Sequence, residues 1–93
     1  MADTQVRDNA TGQRYEAVVD GRIAGSAHYR LTGDGIEFTH TKVSPEYEGQ
    51  GVGAALARFA LDDAKRRGLS VTPTCEFIES YIRRHPEYAE LVS

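Results

Sequence analysis

Cys75 is the only cysteine in the chain, and a thiolate there would be a nucleophile. It follows Ser70-Val-Thr-Pro-Thr74 and precedes a run of helical periodicity. That places it in the first helical turn, where the dipole lowers a thiol pKa. The alternative is a buried, inert thiol. His40 can take a proton near neutral pH or orient another group, or it can be a hydrogen-bonded strand histidine. Glu37 is a second candidate base, or else a solvated strand carboxylate. Tyr81, one to two turns beyond Cys75, can give a proton to a leaving group or can simply pack. His28 and His85 have weaker surroundings for the same chemistry. A second signal is Glu48-Gly-Gln-Gly-Val-Gly53, just before a helical stretch. Its glycines let the backbone approach a ligand. The free N–H groups of Gly49, Gln50, Gly51, Val52, Gly53 and Ala54 can then cradle an anion, or the loop can be a plain connection.

The elements that position these groups are legible in order. Residues 1–13 carry little pattern and read as a loose arm or an edge strand. Tyr15–Val19 is a strand, and Asp20-Gly21 is a two-residue hairpin turn. Ile23, Gly25, Ala27, Tyr29 and Leu31 then alternate with Arg22, Ala24, Ser26, His28 and Arg30, a strand with one polar face. After the turn Thr32-Gly-Asp-Gly35, a third strand runs from Ile36 to Val43. Its apolar positions Ile36 and Phe38 are even, while Val43 is odd. Either a bulge between them restores the alternation, or Val43 has already left the strand.

Pro45 marks the exit into the glycine loop. A helix follows with Val52, Leu56, Phe59, Ala60 and Ala64 on one side, and Asp63 intrudes there without an evident reason. Gly68 ends it. Leu69–Thr72 is a short strand; beside the third it makes a right-handed parallel crossover. Thr74 can cap a second helix, Cys75 to Arg84, whose apolar face is Phe77, Ile78, Tyr81 and Ile82. Pro86 stops it and opens a last turn. The fold class is α+β: an antiparallel three-stranded meander, a crossover helix, a fourth strand parallel to the third and a C-terminal helix. The glycine loop and Cys75 then sit at one sheet edge, at the carboxyl ends of parallel strands, where open sheets hold ligands.

Composition narrows the partners. Ninety-three residues with a formal net charge of −3 are expected to make one domain, without general affinity for nucleic acid or an acidic membrane surface. No apolar run reaches the roughly 18 residues of a membrane span, and the first residues lack a signal-peptide core. One cysteine fits a reducing compartment, so a cytoplasmic protein is expected, monomeric or weakly dimeric. Metal-ligand spacings are absent, so no metal is expected. The loop also lacks the Gly-Lys-[Ser/Thr] ending of a nucleotide-triphosphate loop.

Val43-x-Pro45-x-x-Glu48-Gly49-Gln50-Gly51-Val52-Gly53, after a meander and before a helix, resembles the acetyl-CoA signature of the GCN5-related N-acetyltransferases, Gln/Arg-x-x-Gly-x-Gly/Ala. Gly51 and Gly53 match its last positions; Glu48 departs from Gln or Arg. The segments Phe38–Val43, Pro73-Thr-Cys75, Phe77 and Tyr81–Tyr88 further resemble a minimal single-domain branch of about 90–100 residues. The resemblance implies acetyl-CoA between two splayed parallel strands and an amine acceptor of unknown identity. It implies Thr41, Lys42 and Val43 along the pantetheine arm, Gly49 to Ala54 on the pyrophosphate and Tyr81 near the CoA sulfur. Cys75 would lie close to the thioester, with His40 or a water as base. Transfer would run by direct attack or through Cys75. A CoA-binding module with little catalysis is the other outcome the resemblance allows.

Overall fold

The computed structural model describes residues 4–92. Strands β1 (Thr4–Asn9), β2 (Arg14–Val19), β3 (Arg22–Thr32) and β4 (Gly35–Val43) form an antiparallel meander in chain order. Helix α1 (Val52–Arg66) crosses back and sets β5 (Ser70–Pro73) parallel to β4. Helix α2 (Glu76–Arg84) and a 3-10 turn, Pro86–Leu91, complete the chain. This is the expected α+β order with one strand more. The arm at residues 1–13 supplies β1 as an edge strand; its first three positions lie outside the described residues.

Local chemistry closes the turns. Asp20 (φ 51°) and Gly21 (φ 78°) both take the left-handed conformation that a tight hairpin needs. Gly68 ends α1 at φ 69°, with the Leu69 N–H donating to the Ala64 carbonyl and the Gly68 N–H to Lys65. These paired bonds satisfy carbonyls the helix leaves free.

Both helices lie on one face of the sheet. Tyr15, Ala27, Ile36 and Phe38 meet Leu56, Ala60, Leu61 and Ile78 in one apolar core. Asp63 is buried among them because the Tyr15 hydroxyl donates to its Oδ2 at 2.7 Å, while Arg66 and Arg67 reach it from the helix end. Burial alone would raise the Asp63 carboxyl, but these three hydrogen bonds outweigh it and hold the pKa below its ordinary value. Phe59, expected on the apolar side, sits at the rim and is 39% exposed, with its ring edge-on to Tyr15.

Two irregularities in β-pairing decide which side chains face which way. The β2–β3 register passes from Ala17↔Gly25 to Val18↔Ile23, leaving Ala24 unpaired. The bulge turns Ile23 out of the apolar face on which alternation placed it, and it is 51% exposed. The β3–β4 register passes from Tyr29↔Phe38 to His28↔His40, so Thr39 is the extra residue. This is the bulge that the odd position of Val43 called for. Val43 is the last residue of β4 and packs against the core.

The other face carries polar side chains. Glu16 is covered there by Arg7 (3.0 Å), Asn9 (3.1 Å) and Arg14 (2.8 Å). Hydrogen bonds from Asn9 and Arg14 lead in lowering its pKa to about 2.

Candidate functional site

The site begins where β4 and β5 part. They pair only from Gly35↔Ser70 to Phe38↔Pro73, and the Cys75 N–H donates to the Phe38 carbonyl at 2.9 Å as the last link. From Thr39 onward the β4 edge facing away from β3 has no strand partner among the described residues. The bulge returns Thr41 and Val43 to the helix side. His40 and Lys42 point to the other face, opposite His28 and Ser26.

Cys75 occupies the N-cap position of α2, with φ −74° and ψ 123°, one residue before the first turn expected for it. Thr74 does not cap the helix. Its hydroxyl donates to Glu37 Oε2 at 2.6 Å, and Arg30 holds the other Glu37 oxygen at 2.6 Å. These bonds hold the Glu37 carboxyl below its ordinary value, so it is a fixed ion-pair partner and not a poised base. The Cys75 sulfur is 7% exposed by residue and lies 3.4 Å from Thr41 Oγ1.

The glycine loop follows a 3-10 turn, Pro45–Tyr47. Gly49 (φ 81°) and Gly51 (φ 78°) both take the left-handed conformation. Glu48 and Gln50 donate their N–H groups back to Pro45 and Tyr47, and the first helical bond is Ala55 N–H to the Gly51 carbonyl. The N–H groups of Gly49, Gly51, Val52, Gly53 and Ala54 thus have no backbone acceptor among the described residues. They converge at a helix N-terminus, a site for an anion. At Gly53 a Cβ would fall 2.8 Å from the Phe77 ring, so the absent side chain lets α2 close against α1.

Between loop and α2 lies a groove of about 470 Å³. Val43, Tyr47, Glu48, Gly49, Gly51, Val52, Gly53 and Ala54 line one wall, and Phe77, Tyr81, Arg84 and His85 the other. The Tyr81 ring stacks on His85 at 4.0 Å, and its hydroxyl bonds to none of the described residues. Burial pushes that phenol up, which keeps it protonated near neutral pH. Across the strand, His40 stacks on His28 at 4.2 Å. The Thr39 hydroxyl donates to the His28 carbonyl (3.3 Å), and His40 Nδ1 lies 3.4 Å from Thr39 Oγ1. With its one proton committed, Thr39 can only accept from Nδ1–H. In the neutral tautomer that carries its hydrogen on Nδ1, the free lone pair of His40 is on Nε2.

The sequence profile of the GCN5-related N-acetyl-transferases matches residues 14–91. The chain belongs to this family. Among curated proteins, Protein NATD1 of human, mouse and chicken is 33% identical over 51 residues. The aligned stretch takes in 55% of this chain and 45–46% of those proteins, so the match spans under half their length. Two solved structures share the fold. A GCN5-like protein from Staphylococcus aureus superposes with a TM-score of 0.74 at 21% identity, covering 100% of this chain and 91% of its own. The ribosomal-protein-S18-alanine N-acetyltransferase of Escherichia coli gives 0.65 at 18% identity, covering 78% and 66%.

The site candidates read from the sequence fall into two groups in the structure. Val43, Gly49, Gly51, Val52, Gly53, Ala54 and Tyr81 stand together in it. Thr41 and Cys75 meet each other outside its lining, and His40 and Lys42 lie on the opposite sheet face. Gln50 turns away, its amide donating to the Glu46 carbonyl at 3.3 Å. Sequence reasoning missed Tyr47 and Arg84, read Phe77 only as part of an apolar face and weighed His85 only as a weaker acid–base candidate; all four line the groove. The spacing 77, 81, 84, 85 puts the α2 members on one helix face, and that signal was readable. No helix among the described residues is long and apolar enough to cross a membrane.

Proposed function

We propose that this protein is an acetyl-CoA-dependent N-acetyltransferase that moves an acetyl group directly to an amine. The carrying observation is the parting of β4 from β5 immediately beside the glycine groove. It leaves strand backbone free to pair with an amide-bearing arm, and free helix N–H groups for a pyrophosphate. In this reading Thr41 to Val43 align the arm, and Gly49 to Ala54 with Arg84 hold the phosphates. The attacking amine forms its bond to the acetyl carbon as the carbon–sulfur bond breaks. Its proton passes to His40 Nε2, directly or through water, and the departing thiolate takes a proton from Tyr81. Cys75 stays a neighbour: it is buried and engaged with Thr41.

The test is calorimetric titration with acetyl-CoA and desulfo-CoA, followed by CoA release in the presence of an amine panel. Binding with amine-dependent release is expected. No binding of either ligand would sink the reading. Acetyl label on Cys75 in a single turnover, lost in Cys75→Ala, would replace direct transfer by a relay.

A second reading, a CoA-binding module with little turnover, draws on Glu48. This carboxylate lines the groove beside the proposed phosphate cradle, where it opposes an anion. Tight binding without release for any amine would favour it.

A further inference from the structure

We propose that the acceptor is an amine that also carries an anionic group, a carboxylate or a phosphate, seated on the open face of the sheet. This rests on the acetyltransferase reading above. The groove occupies the helix side of the β4–β5 gap, so the remaining approach to the gap is from the face that holds His40.

That face is cationic although the chain is net acidic. Register aligns Arg14, His28 and His40 as one row across three strands, with Glu16, Ser26 and Lys42 as the next. Arg7, Arg14, Arg30 and Lys42 stand there against two carboxylates, both engaged. Glu16 takes Arg7 and Arg14 together, which leaves that trio cationic; Glu37 takes Arg30. Lys42 makes no ion pair among the described residues. The local field registers on His28, whose proton affinity falls through burial and then through His40, Arg14 and Lys42. Ser26 Oγ, 3.2 Å from His28 Nε2, adds a hydroxyl at the same place. Two residues along a strand span roughly 7 Å, and Lys42 is that far from His40 along β4. The lysine chain can bend back over much of this interval. An anion held there leaves an amine a few bonds away at His40 Nε2 and the gap. A polycation meets the same field as repulsion.

The experiment compares matched amines with the full chain and saturating acetyl-CoA, reading CoA release. The pairs are 4-aminobutyrate against butylamine, phenylalanine against phenylethylamine, and aminoethylphosphonate against ethylamine, with spermidine as the polycation. The anionic member of at least one pair is expected to show at least a tenfold higher kcat/KM. Lys42→Glu should erase that preference, lowering kcat/KM for the anionic member at least tenfold more than for its uncharged partner. Whether carboxylate or phosphonate wins identifies the anion. Spermidine or the uncharged amines as best acceptors would overturn the inference, as would an equal effect of Lys42→Glu on both members of a pair. Acetyl-CoA binding with no anionic amine acetylated overturns it alone. Failure of acetyl-CoA to bind removes the parent reading with it.

Discussion

At the scale of the residue, the proposed chemistry would divide between His40 on the open sheet face and Arg84 of α2 in the groove. Thr39 gives its only proton to the His28 carbonyl, so its oxygen is an acceptor for a hydrogen on His40 Nδ1. His40→Ala is therefore expected to lower kcat about 100-fold, the lower range for losing a general base, with little change in acetyl-CoA affinity. Comparable loss of binding would show His40 to be structural. Arg84 tests the other face. Arg84→Gln should raise the Kd for acetyl-CoA several-fold and leave the melting temperature unchanged, because Arg84 lines the groove, is exposed and makes no ion pair among the described residues. Gly51→Ala forces a side chain into the left-handed conformation at φ 78°, at a cost of about 1–2 kcal/mol. Denaturant unfolding of that variant measures the strain.

At the scale of the element, Asp63 ties α1 to β2. Asp63→Ala leaves the buried Tyr15 hydroxyl without its acceptor and is expected to cost about 2–3 kcal/mol in urea unfolding. A loss near zero would mean that Arg66 and Arg67 make the contact dispensable. Why Asp63 sat on an apolar face could not be read from the sequence, because its partner lies 48 positions away. The bulge in β4 was readable, since Val43 broke a parity that Phe38 had set. The bulge at Ala24 was not, because small residues on both sides hide the break in alternation. The sequence likewise made Thr74 a helix cap. Only the pairing of β4 with β5 brings Glu37 within its reach, where the hydroxyl donates to a carboxylate, and the cap position falls one residue later, at Cys75.

At the scale of the molecule, a one-sided sheet sets the response to acid. Glu16 has a folded pKa of about 2 against an ordinary 4.5, so the unfolded chain binds this proton first as pH falls. Its contribution is complete above about pH 4.5 and drains away toward pH 2. With Arg7 largely in solvent, that contribution is about 1–2 kcal/mol after screening. Glu16→Gln should flatten the stability curve across this window and leave neutral groove chemistry intact. An unchanged slope would assign acid sensitivity to Asp63, whose carboxyl is lowered in the same direction.

The sheet wears its helices on one side only. The helix side holds the core and the groove, where a changed volume disturbs packing and loop together. On the bare side, His28, Ser26 and Lys42 stand outside the apolar core, so substitutions there can be made without unfolding the chain. In the acetyltransferase proposed above, a change of recipient on one face would leave the donor's seat on the other untouched.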